Sequence, residues 1–341
     1  MSASSKAPPP HPDCAPPRCQ VAGTGAYLPA RVLKNADLEK LVETSDEWIV
    51  SRTGIRERRI AAEGEHTSTM GARAAAQALE NAGVAASEVD MILCATITPD
   101  MPFPCTACLI QKEIGATRAF CFDIEAACTG FIYGLEIGRQ FIESGAYKTV
   151  LIVAADKLST ITDWKDRNTC VLFGDGAGAA VLRSSDGVRG ILSTSLGSNG
   201  EQSGLLYMPG GGSQNPASAK SVEQGLHFLK MNGREVYKHA VVTMARAAEA
   251  TLARAGLRTS DIAWVIPHQA NLRIIQGLIE RLDVSMDRCL INVDRYGNMS
   301  AASAAVAFHE GARDGRFKKG DLLLLVAFGA GLTWGATVIR W

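Results

Sequence analysis

The sequence lacks an excess of charge, a long apolar stretch and a secretory signal. Lys and Arg together number 35, as do Asp and Glu, so no general affinity for nucleic acid or an acidic membrane is expected. No apolar run reaches the roughly 20 residues that a membrane-spanning helix needs. Residues 1–19 are rich in Pro, Ser and Ala and contain no apolar segment of the kind that signal peptides carry. We therefore expect a cytoplasmic globular protein with a disordered leader over residues 1–19.

Cysteine is scattered along the chain and follows no disulfide or metal-binding pattern. The nine cysteines are an odd number without the spacing of a small disulfide scaffold, which favours a reducing compartment. Cys105 and Cys108 form a CxxC pair, but neither a second ligand pair nor a thioredoxin-like context accompanies them. We interpret the pair as two small residues at the start of a helix, and we expect no metal site.

Short apolar runs alternate along the chain with Ala-rich segments of helical spacing. The apolar runs cover residues 90–96, 119–124, 149–155, 263–267 and 321–328, and the Ala-rich segments cover residues 69–82, 130–144, 234–255 and 300–313. Nearly continuous apolar strands that alternate with helices are typical of sheets buried on both faces. The sequence therefore predicts an α/β fold.

The chain also repeats itself. Residues 78–90 align without gaps with residues 251–263, and residues 173–183 resemble residues 328–340. An apolar strand follows each copy of the first motif, and each copy of the second is a Gly-rich turn that leads into a strand. Two matches in the same order favour a duplication. We expect halves at 20–187 and 188–341, with the active site where they meet.

Three residues suited to nucleophilic catalysis lie at predicted strand-to-helix junctions. Cys128 precedes a helix, where the helix dipole and unpaired backbone N–H groups favour the thiolate. His268 follows an apolar strand, and Asn298 lies in a Gly-containing turn before an Ala-rich helix. On its position alone, Cys128 could equally be a buried structural thiol. A papain-like protease uses the same three residue types, but Cys128 lacks the motif of those proteases and lies deep within the chain.

The sequence also contains two glycine-rich segments and one regularly spaced set of basic residues. GTGAYLP (23–29) and FGDGAGA (173–179) do not have the spacing of phosphate-binding loops, so we expect turns at which backbone segments approach closely in the core. Lys230, Arg234 and Lys238 recur every four residues, so on a helix they would form one basic stripe. Such a stripe is either a solvated face or a docking surface for an acidic partner.

Seven ordered blocks resemble the β-ketoacyl-acyl-carrier-protein synthase III family, the initiating condensing enzymes of the thiolase superfamily. The blocks, spread over residues 20–341, are GTGAYLP (23–29), SDEWIVSRTGIRERRI (45–60), EAACTGF (125–131), FGDGAGAAVL (173–182), PHQANLRI (267–274), YGNMSAAS (296–303) and AFGAGLTWG (327–335). The resemblance implies a duplicated thiolase-like fold with five α-β-α-β-α layers and two pseudo-symmetric halves. It also implies the first condensation of type II fatty acid biosynthesis, in which a short acyl-CoA and malonyl-acyl carrier protein (ACP) give 3-oxoacyl-ACP, CO2 and CoA.

The resemblance implies a role for each candidate catalytic residue. The family's Cys–His–Asn set maps onto Cys128 as the acyl carrier, and onto a neutral His268 and Asn298 as donors to the malonyl thioester carbonyl. Backbone N–H groups of Cys128 and Ala330 would form the oxyanion hole, with Ala330 in place of a common Gly. Met299 stands where the family commonly has a small or hydroxylated residue, and it could narrow the site or shift Asn298.

The resemblance also implies three binding surfaces and no cofactor beyond the two thioester substrates. The implied CoA contacts are Thr44, Trp48, Arg52, Arg167, Gly233 and Asn271, with Trp48 and Arg167 on either side of the adenine, Arg52 on phosphate, and Gly233 and Asn271 along the pantetheine tunnel. The implied acyl pocket contains Phe103, Phe173 and Phe328, and Phe103 would cross a homodimer interface to reach the partner's pocket. The implied docking surface for the acidic ACP is Lys230, Arg234, Lys238 and Arg273, with an affinity that weakens in salt.

Three other functions fit parts of the sequence. A paralogue on the same scaffold would make a polyketide starter, a quinolone or an ester. A cysteine thioesterase would hydrolyse acyl-CoA and would need neither a malonyl donor nor Asn298. A catalytically silent acyl-CoA-binding protein would keep its function after Cys128→Ala. The chain length and branching of the acyl primer are not determined by the sequence.

Overall fold

A computed structural model describes residues 18–341, which form strands and helices in close alternation. The strands are β1 (Cys19–Tyr27), β2 (Arg31–Lys34), β3 (Glu57–Ile60), β4 (Met91–Ala95), β5 (Phe120–Ile124), β6 (Thr149–Lys157), β7 (Asp175–Ser184), β8 (Gly190–Ser198), β9 (Leu206–Tyr207), β10 (Lys230–Met231), β11 (Trp264–Pro267), β12 (Leu322–Gly329) and β13 (Thr333–Arg340). The helices are α1 (Asn35–Leu38), α2 (Asp46–Thr53), α3 (Thr67–Ala82), α4 (Thr106–Ile114), α5 (Gly130–Glu143), α6 (Arg167–Cys170), α7 (Ala219–Glu223), α8 (Gly233–Arg254), α9 (Leu272–Leu282), α10 (Val293–Tyr296) and α11 (Ala302–Arg313).

Two larger sheets share one strand order. The first sheet has the order β1-β7-β6-β4-β5, with β4 parallel to β5 and β6, and with β7 antiparallel to β6 and β1. The second has the order β8-β13-β12-β11, with β11 parallel to β12, and with β13 antiparallel to β12 and β8. A parallel bridge between Val265 and Cys289 lies beside β11 at the place that β5 holds in the first sheet. The connection between β7 and β8 contains the expected boundary at 187/188.

The two sheets are layered with helices because their apolar strands must be covered on both faces. Helices α3 and α4 cover the outer face of the first sheet, and α8 and α9 cover the outer face of the second. Helices α5 and α11 lie between the sheets, where Phe131 and Phe308 pack in one cluster with Ile152 of β6 and Leu325 of β12. The predicted five-layered α-β-α-β-α fold is confirmed.

Side-chain caps set the start of three helices that will border the site. Ser45 Oγ accepts the N–H of Trp48 at the start of α2, Asn232 accepts the N–H of Glu235 in α8, and Asn271 accepts the N–H of Arg273 in α9. Each cap satisfies a backbone donor that has no partner within its helix. The three helix starts are therefore fixed by polar residues that directly precede them.

The expected turns at the two Gly-rich segments are wrong, because most of each segment is strand. The glycines of GTGAYLP belong to β1, where a Cβ on Gly23 would lie 2.5 Å from the backbone N of Ala82. In FGDGAGA, Gly174 precedes β7, whereas Gly176 and Gly178 lie within it, and a Cβ on Gly178 would lie 2.5 Å from the Cβ of Ala305 in α11. The close approach of backbones was predicted, but it occurs where helices pack on strands.

The structure bears on the predictions for the N-terminal segment and for the CxxC pair. Residues 1–17 of the expected leader lie outside the described residues, whereas Arg18 accepts a hydrogen bond from Ser185 and Cys19 opens β1 with a buried side chain. Arg18 and Cys19 therefore do not belong to a disordered segment. Cys105 and Cys108 lie at the start of α4, as predicted, with their sulfurs 3.3 Å apart. Within residues 18–341, no helix has the length and apolar character to cross a membrane.

Candidate active site

A pocket of about 1030 Å³ contains the side chains of Cys128, His268 and Asn298. All three residues are buried, whereas Arg52 and Arg273 on the same wall are exposed. The pocket therefore leads from a charged surface to the three buried side chains. It lies between the two halves and is large enough for an extended ligand.

Cys128 lies in a single 3-10 turn, Ala127–Thr129, between β5 and α5. Burial raises the pKa of its thiol to about 12, the Ser300 hydroxyl acts to lower this pKa, and the nearby Asp156 carboxylate raises it. The sequence predicted a pKa lowered by the helix start, and that direction is wrong because desolvation of the thiolate is the larger effect. Cys128 is therefore a thiol at neutral pH and needs a proton acceptor to become a nucleophile.

His268 directly follows β11, and its backbone N–H donates to Val326 O at 2.8 Å. Burial lowers the pKa of its imidazole to about 3, so the ring is neutral at physiological pH. Neither ring nitrogen has a hydrogen-bond partner among the described residues. A neutral imidazole carries one N–H donor, and that donor is free for a ligand in the pocket.

Gln269 holds the turn that carries His268, a role that sequence analysis missed. Its Oε1 accepts the backbone N–H groups of Asn292 and Val293, and its Nε2 donates to Pro267 O at 2.8 Å and to Leu290 O at 3.0 Å. This fully buried amide thus ties the end of β11 to the segment before α10. Its position beside His268 was the only sequence signal.

Asn298 follows Gly297, whose φ of 65° lies in the left-handed region and whose Cβ would lie 2.7 Å from Leu172 O. The side-chain Oδ1 of Asn298 accepts the N–H of Ser300 at 2.8 Å. Its backbone N–H donates to Leu172 O at 2.8 Å, and its carbonyl accepts the N–H of Gly174 at 2.9 Å. The amide oxygen is therefore occupied, and the NH2 group is the end available to a ligand.

The backbone beyond β12 lies directly against Cys128. A Cβ on Gly329 would lie 2.8 Å from the backbone N of Cys128, so the segment that leads to Ala330 approaches this amide as closely as a glycine permits. Ala330 itself is partly buried. Phe173 and Phe328 line the pocket.

Phe103 lies outside the pocket of its own chain. It is 84% exposed, and Met101 two residues earlier is 43% exposed. The loop before α4 thus presents apolar side chains to its surroundings.

Met299 is not part of the pocket lining, so narrowing of the site, one of the two effects considered from the sequence, does not occur. Its side chain is fully buried and packs with Tyr296, Ala302 and Val306 in a separate cluster. A Cβ on Gly176 would lie 2.6 Å from the Met299 sulfur. Gly176 therefore leaves room for this sulfur on the side away from the pocket.

Trp48 of α2 carries two guanidinium groups on its ring. Arg52 Cζ lies 5.1 Å and Arg167 Cζ 4.7 Å from the ring centroid, both within the range of cation–π attraction. Arg167 also donates to Glu43 O at 2.9 Å, and Thr44 is partly buried beside this carbonyl. Entry of a purine between Trp48 and Arg167 would require the Arg167 side chain to move.

Asn271 and Gly233 lie farther along the pocket wall. The Nδ2 of Asn271 donates to Arg52 O at 3.1 Å, so the residue that caps α9 also holds the end of α2. Gly233 is the first residue of α8 and is exposed. Both residues therefore lie where helix starts meet the pocket.

The predicted basic stripe is only partly helical. Arg234 and Lys238 lie on α8, but Lys230 belongs to the short strand β10, so its place on a helical stripe is wrong. Arg234, Lys238 and Arg273 border the pocket, and Lys238 donates to Glu235 at 2.6 Å. Three of the four basic residues therefore lie at the pocket, and only Arg234 and Lys238 share a helix face.

The chain is similar to known proteins along almost its whole length. Residues 122–200 match the family described as 3-Oxoacyl-[acyl-carrier-protein (ACP)] synthase III, and residues 252–341 match the family described as its C-terminal part. A β-ketoacyl-[acyl-carrier-protein] synthase III from Caldanaerobacter subterraneus subsp. tengcongensis is 54% identical over 321 residues, covering 94% of this chain and 97% of that protein. The crystal structure of the Aquifex aeolicus 3-oxoacyl-[acyl-carrier-protein] synthase III has a TM-score of 0.88 and 46% identity, over 95% of this chain and 100% of that one. The priming β-ketosynthase of the R1128 polyketide pathway has a TM-score of 0.88 but 36% identity, over 97% of this chain and 98% of that one.

Proposed function

The chain belongs to the 3-oxoacyl-[acyl-carrier-protein] synthase III family, and we propose that Cys128, His268 and Asn298 carry out the reaction of this family. The protein is an acyltransferase, an initiating condensing enzyme of fatty acid synthesis that uses an acyl carrier protein as substrate partner. The observation that supports the residue assignment most strongly is that the three side chains line one pocket. No cofactor enters the proposed chemistry beyond the two thioester substrates.

In the first half-reaction, Cys128 attacks the thioester carbonyl of a short acyl-CoA. The bond from sulfur to the acyl carbon forms, the bond to CoA breaks, and CoA leaves as a thiolate that takes a proton from water. The developing oxyanion needs two donors aimed at one point. The N–H groups of Cys128 and Ala330 fit this task because the backbone at Gly329 lies against the Cys128 amide.

In the second half-reaction, the malonyl thioester loses CO2 and leaves an enolate. His268 and Asn298 stabilise this enolate by donating to its oxygen. Both residues suit the role, because burial keeps the imidazole neutral and because Asn298 has its amide oxygen already occupied by Ser300. The carbanion then attacks the acyl-Cys128 carbonyl and releases the thiolate of Cys128, so the product is 3-oxoacyl-ACP.

Trp48 and Arg167 bind the adenine of CoA, and Arg52 binds a phosphate. The paired guanidinium groups on the Trp48 ring support this role, since they provide both a stacking surface and positive charge. Thr44, Gly233 and Asn271 complete the CoA contacts. Lys230, Arg234, Lys238 and Arg273 dock the acidic carrier protein near the outer end of the pocket.

The enzyme acts as a cytoplasmic homodimer in which Phe103 closes the acyl pocket of the partner subunit, while Phe173 and Phe328 line the pocket from within their own chain. The support is the exposure of Phe103 and Met101, because an apolar loop held in water is typical of an interaction surface. Size-exclusion chromatography with light scattering tests the dimer, and a monomer for the unmodified protein would contradict it.

Mass spectrometry after mixing with acetyl-CoA tests the role of Cys128. We expect an added acetyl group on Cys128 and its disappearance, with release of a 3-oxoacyl product, when malonyl-ACP follows. Cys128→Ala should abolish both events, whereas Cys108→Ala, outside the pocket, should leave them intact. Hydrolysis of acetyl-CoA without condensation would instead indicate a thioesterase.

A panel of acyl-CoA primers separates the fatty acid enzyme from a polyketide-priming paralogue. The similarity to the R1128 priming ketosynthase makes the paralogue a specific alternative. Preference for short primers with malonyl-ACP from a fatty acid system supports our proposal. Turnover only with another carrier protein, or an ester product, would favour the paralogue.

A further inference from the structure

Asp156 is a fully buried carboxylate at the end of β6 with one oxygen unused. Its Oδ1 accepts the hydroxyls of Thr96 and Thr98, each at 2.9 Å, and the backbone N–H groups of Ile97 and Thr98. Its Oδ2 has no hydrogen-bond partner of standard geometry in the described residues. The lone pairs of Oδ2 are therefore available to accept a proton.

The buried hydroxyl of Ser300 influences both this carboxylate and the candidate nucleophile. The Ser300 hydroxyl lowers the pKa of the Cys128 thiol and of the Asp156 carboxyl. This is the effect expected of a hydroxyl that donates a hydrogen bond to the ionised form of each group. Its oxygen is buried and makes no hydrogen bond of standard geometry within residues 18–341. Ser300 also has a φ of 52°, a strained conformation for a residue with a Cβ, and such strain concentrates at functional sites.

Close packing at the start of α5 brings chain neighbours of these residues together. A Cβ on Gly130, two residues after Cys128, would lie 2.7 Å from Ala95 Cβ and 3.3 Å from Ala301 Cβ. Ala95 precedes Thr96, which binds Asp156, and Ala301 follows Ser300. The glycine at the start of α5 therefore lets the residue before Thr96 and the residue after Ser300 pack closely beside the turn that carries Cys128.

We propose that Ser300 and Asp156 form a proton relay that takes the thiol proton of Cys128 when the acyl group is loaded. The relay deepens the proposed function, since it rests on Cys128 as the nucleophile. The proposed mechanism needs an acceptor for this proton, because His268 acts in it as a donor to the malonyl carbonyl. Ser300 is the bridging residue, and Asp156 is the acceptor.

Each proton in the proposed cycle has a defined place. As the sulfur of Cys128 attacks, its proton passes to Ser300 Oγ while the Ser300 hydroxyl proton passes to Asp156 Oδ2. The departing CoA thiolate takes its proton from water. When condensation releases the Cys128 thiolate, the proton on Asp156 returns through Ser300. Decarboxylation needs no proton, so one proton from water is consumed for each CoA released.

The surroundings of Asp156 allow its carboxylate to accept a proton near neutral pH. Burial raises the pKa of Asp156 to about 6. The thiols of Cys94 on β4 and Cys128 lie within electrostatic reach, and the Asp156 charge raises the pKa of each. Lys157, the next residue, donates instead to the carbonyl of Glu65 at 2.6 Å.

The rate of Cys128 alkylation by iodoacetamide, measured against pH in the enzyme without substrate, tests the relay. The unmodified enzyme should become reactive as pH rises through about 6 and then level off, following the ionisation of Asp156. Asp156→Asn should lower the rate at pH 7 by about 100-fold, within the usual range for loss of a general base, and the rate should keep rising with pH. An electrostatic or structural role predicts the opposite, since removing a negative charge beside the thiol lowers its pKa; an equal or faster rate for Asp156→Asn would therefore overturn the relay.

Two variants keep this test decisive. Ser300→Gly removes the hydroxyl but suits the positive φ and keeps the N–H that binds Asn298, so it should fold, lose the neutral-pH reactivity and still decarboxylate malonyl-CoA. Asp175→Asn is the matched control, because Asp175 is a fully buried carboxylate bonded to Ser159 and Ala61; its profile should match that of the unmodified enzyme. Unchanged alkylation in Ser300→Gly would refute the relay, whereas acetylation of Cys128 by acetyl-CoA would still support the proposed function.

Discussion

The neutral state of His268 has a measurable consequence for stability. Burial lowers the pKa of its imidazole from 6.5 to about 3. Because the ring takes up a proton in the unfolded chain but not in the folded one, the free energy of unfolding falls as pH decreases below 6.5. Below pH 6.5, each further pH unit costs about 1.4 kcal/mol of unfolding free energy. A change from pH 7.5 to pH 5.0 includes about 1.5 units below 6.5, so it should cost about 2 kcal/mol through this residue alone.

Urea unfolding at pH 7.5 and pH 5.0 measures this contribution when the unmodified protein is compared with His268→Gln. Other groups titrate over the same range in both proteins, so their effects cancel in the difference. We expect His268→Gln to lose about 2 kcal/mol less than the unmodified protein on acidification. His66→Gln, which removes an exposed imidazole before α3, should behave like the unmodified protein. If His268→Gln and the unmodified protein lose the same free energy, the imidazole is not held neutral by burial.

Three further predictions concern Asn298 as a hydrogen-bond donor, the buried packing of Met299 and the CoA-binding surface at Trp48. Asn298→Ala should reduce condensation by about 100-fold or more, as loss of an oxyanion donor does, while mass spectrometry still finds acetylated Cys128; loss of acetylation would contradict a role confined to the second half-reaction. Met299→Ala should lower the free energy of unfolding by about 2–5 kcal/mol because it empties a fully buried position, and urea unfolding that detects no change would contradict this packing. Trp48→Ala should raise KM for acyl-CoA about 10-fold with little change in kcat, since it removes a binding surface only; a fall in kcat alone in steady-state assays would contradict that role.

The sequence was most informative where a polar residue directly follows an apolar strand. His268 could be located in this way because the end of a buried strand is easy to recognise and is the usual functional edge of an α/β sheet. Cys128 and Asn298 were placed by the glycine and alanine patterns of the helices that follow them. The layered fold followed from the apolar strands, since both faces of each sheet had to be covered.

Other features depend on distances that a linear pattern does not contain. The spacing of Lys230 and Arg234 looked helical, but the chain changes from strand to helix between them. The direction of the Cys128 pKa was misjudged because desolvation depends on how completely the fold encloses the thiol. Asp156 and Ser300 lie 144 positions apart in the sequence, so no local pattern relates one to the other.

The shared strand order of the two sheets has a consequence for how such a site can arise. Cys128 precedes α5 and Asn298 precedes α11, and these helices occupy matching places in the middle layer. In a symmetric pair of identical single-half chains, the two positions would have to carry the same amino acid. Joining the halves in one polypeptide lets each position mutate alone, so one copy can hold a nucleophile while its counterpart holds a hydrogen-bond donor. The asymmetric chemistry of condensation thus becomes available to a nearly symmetric architecture.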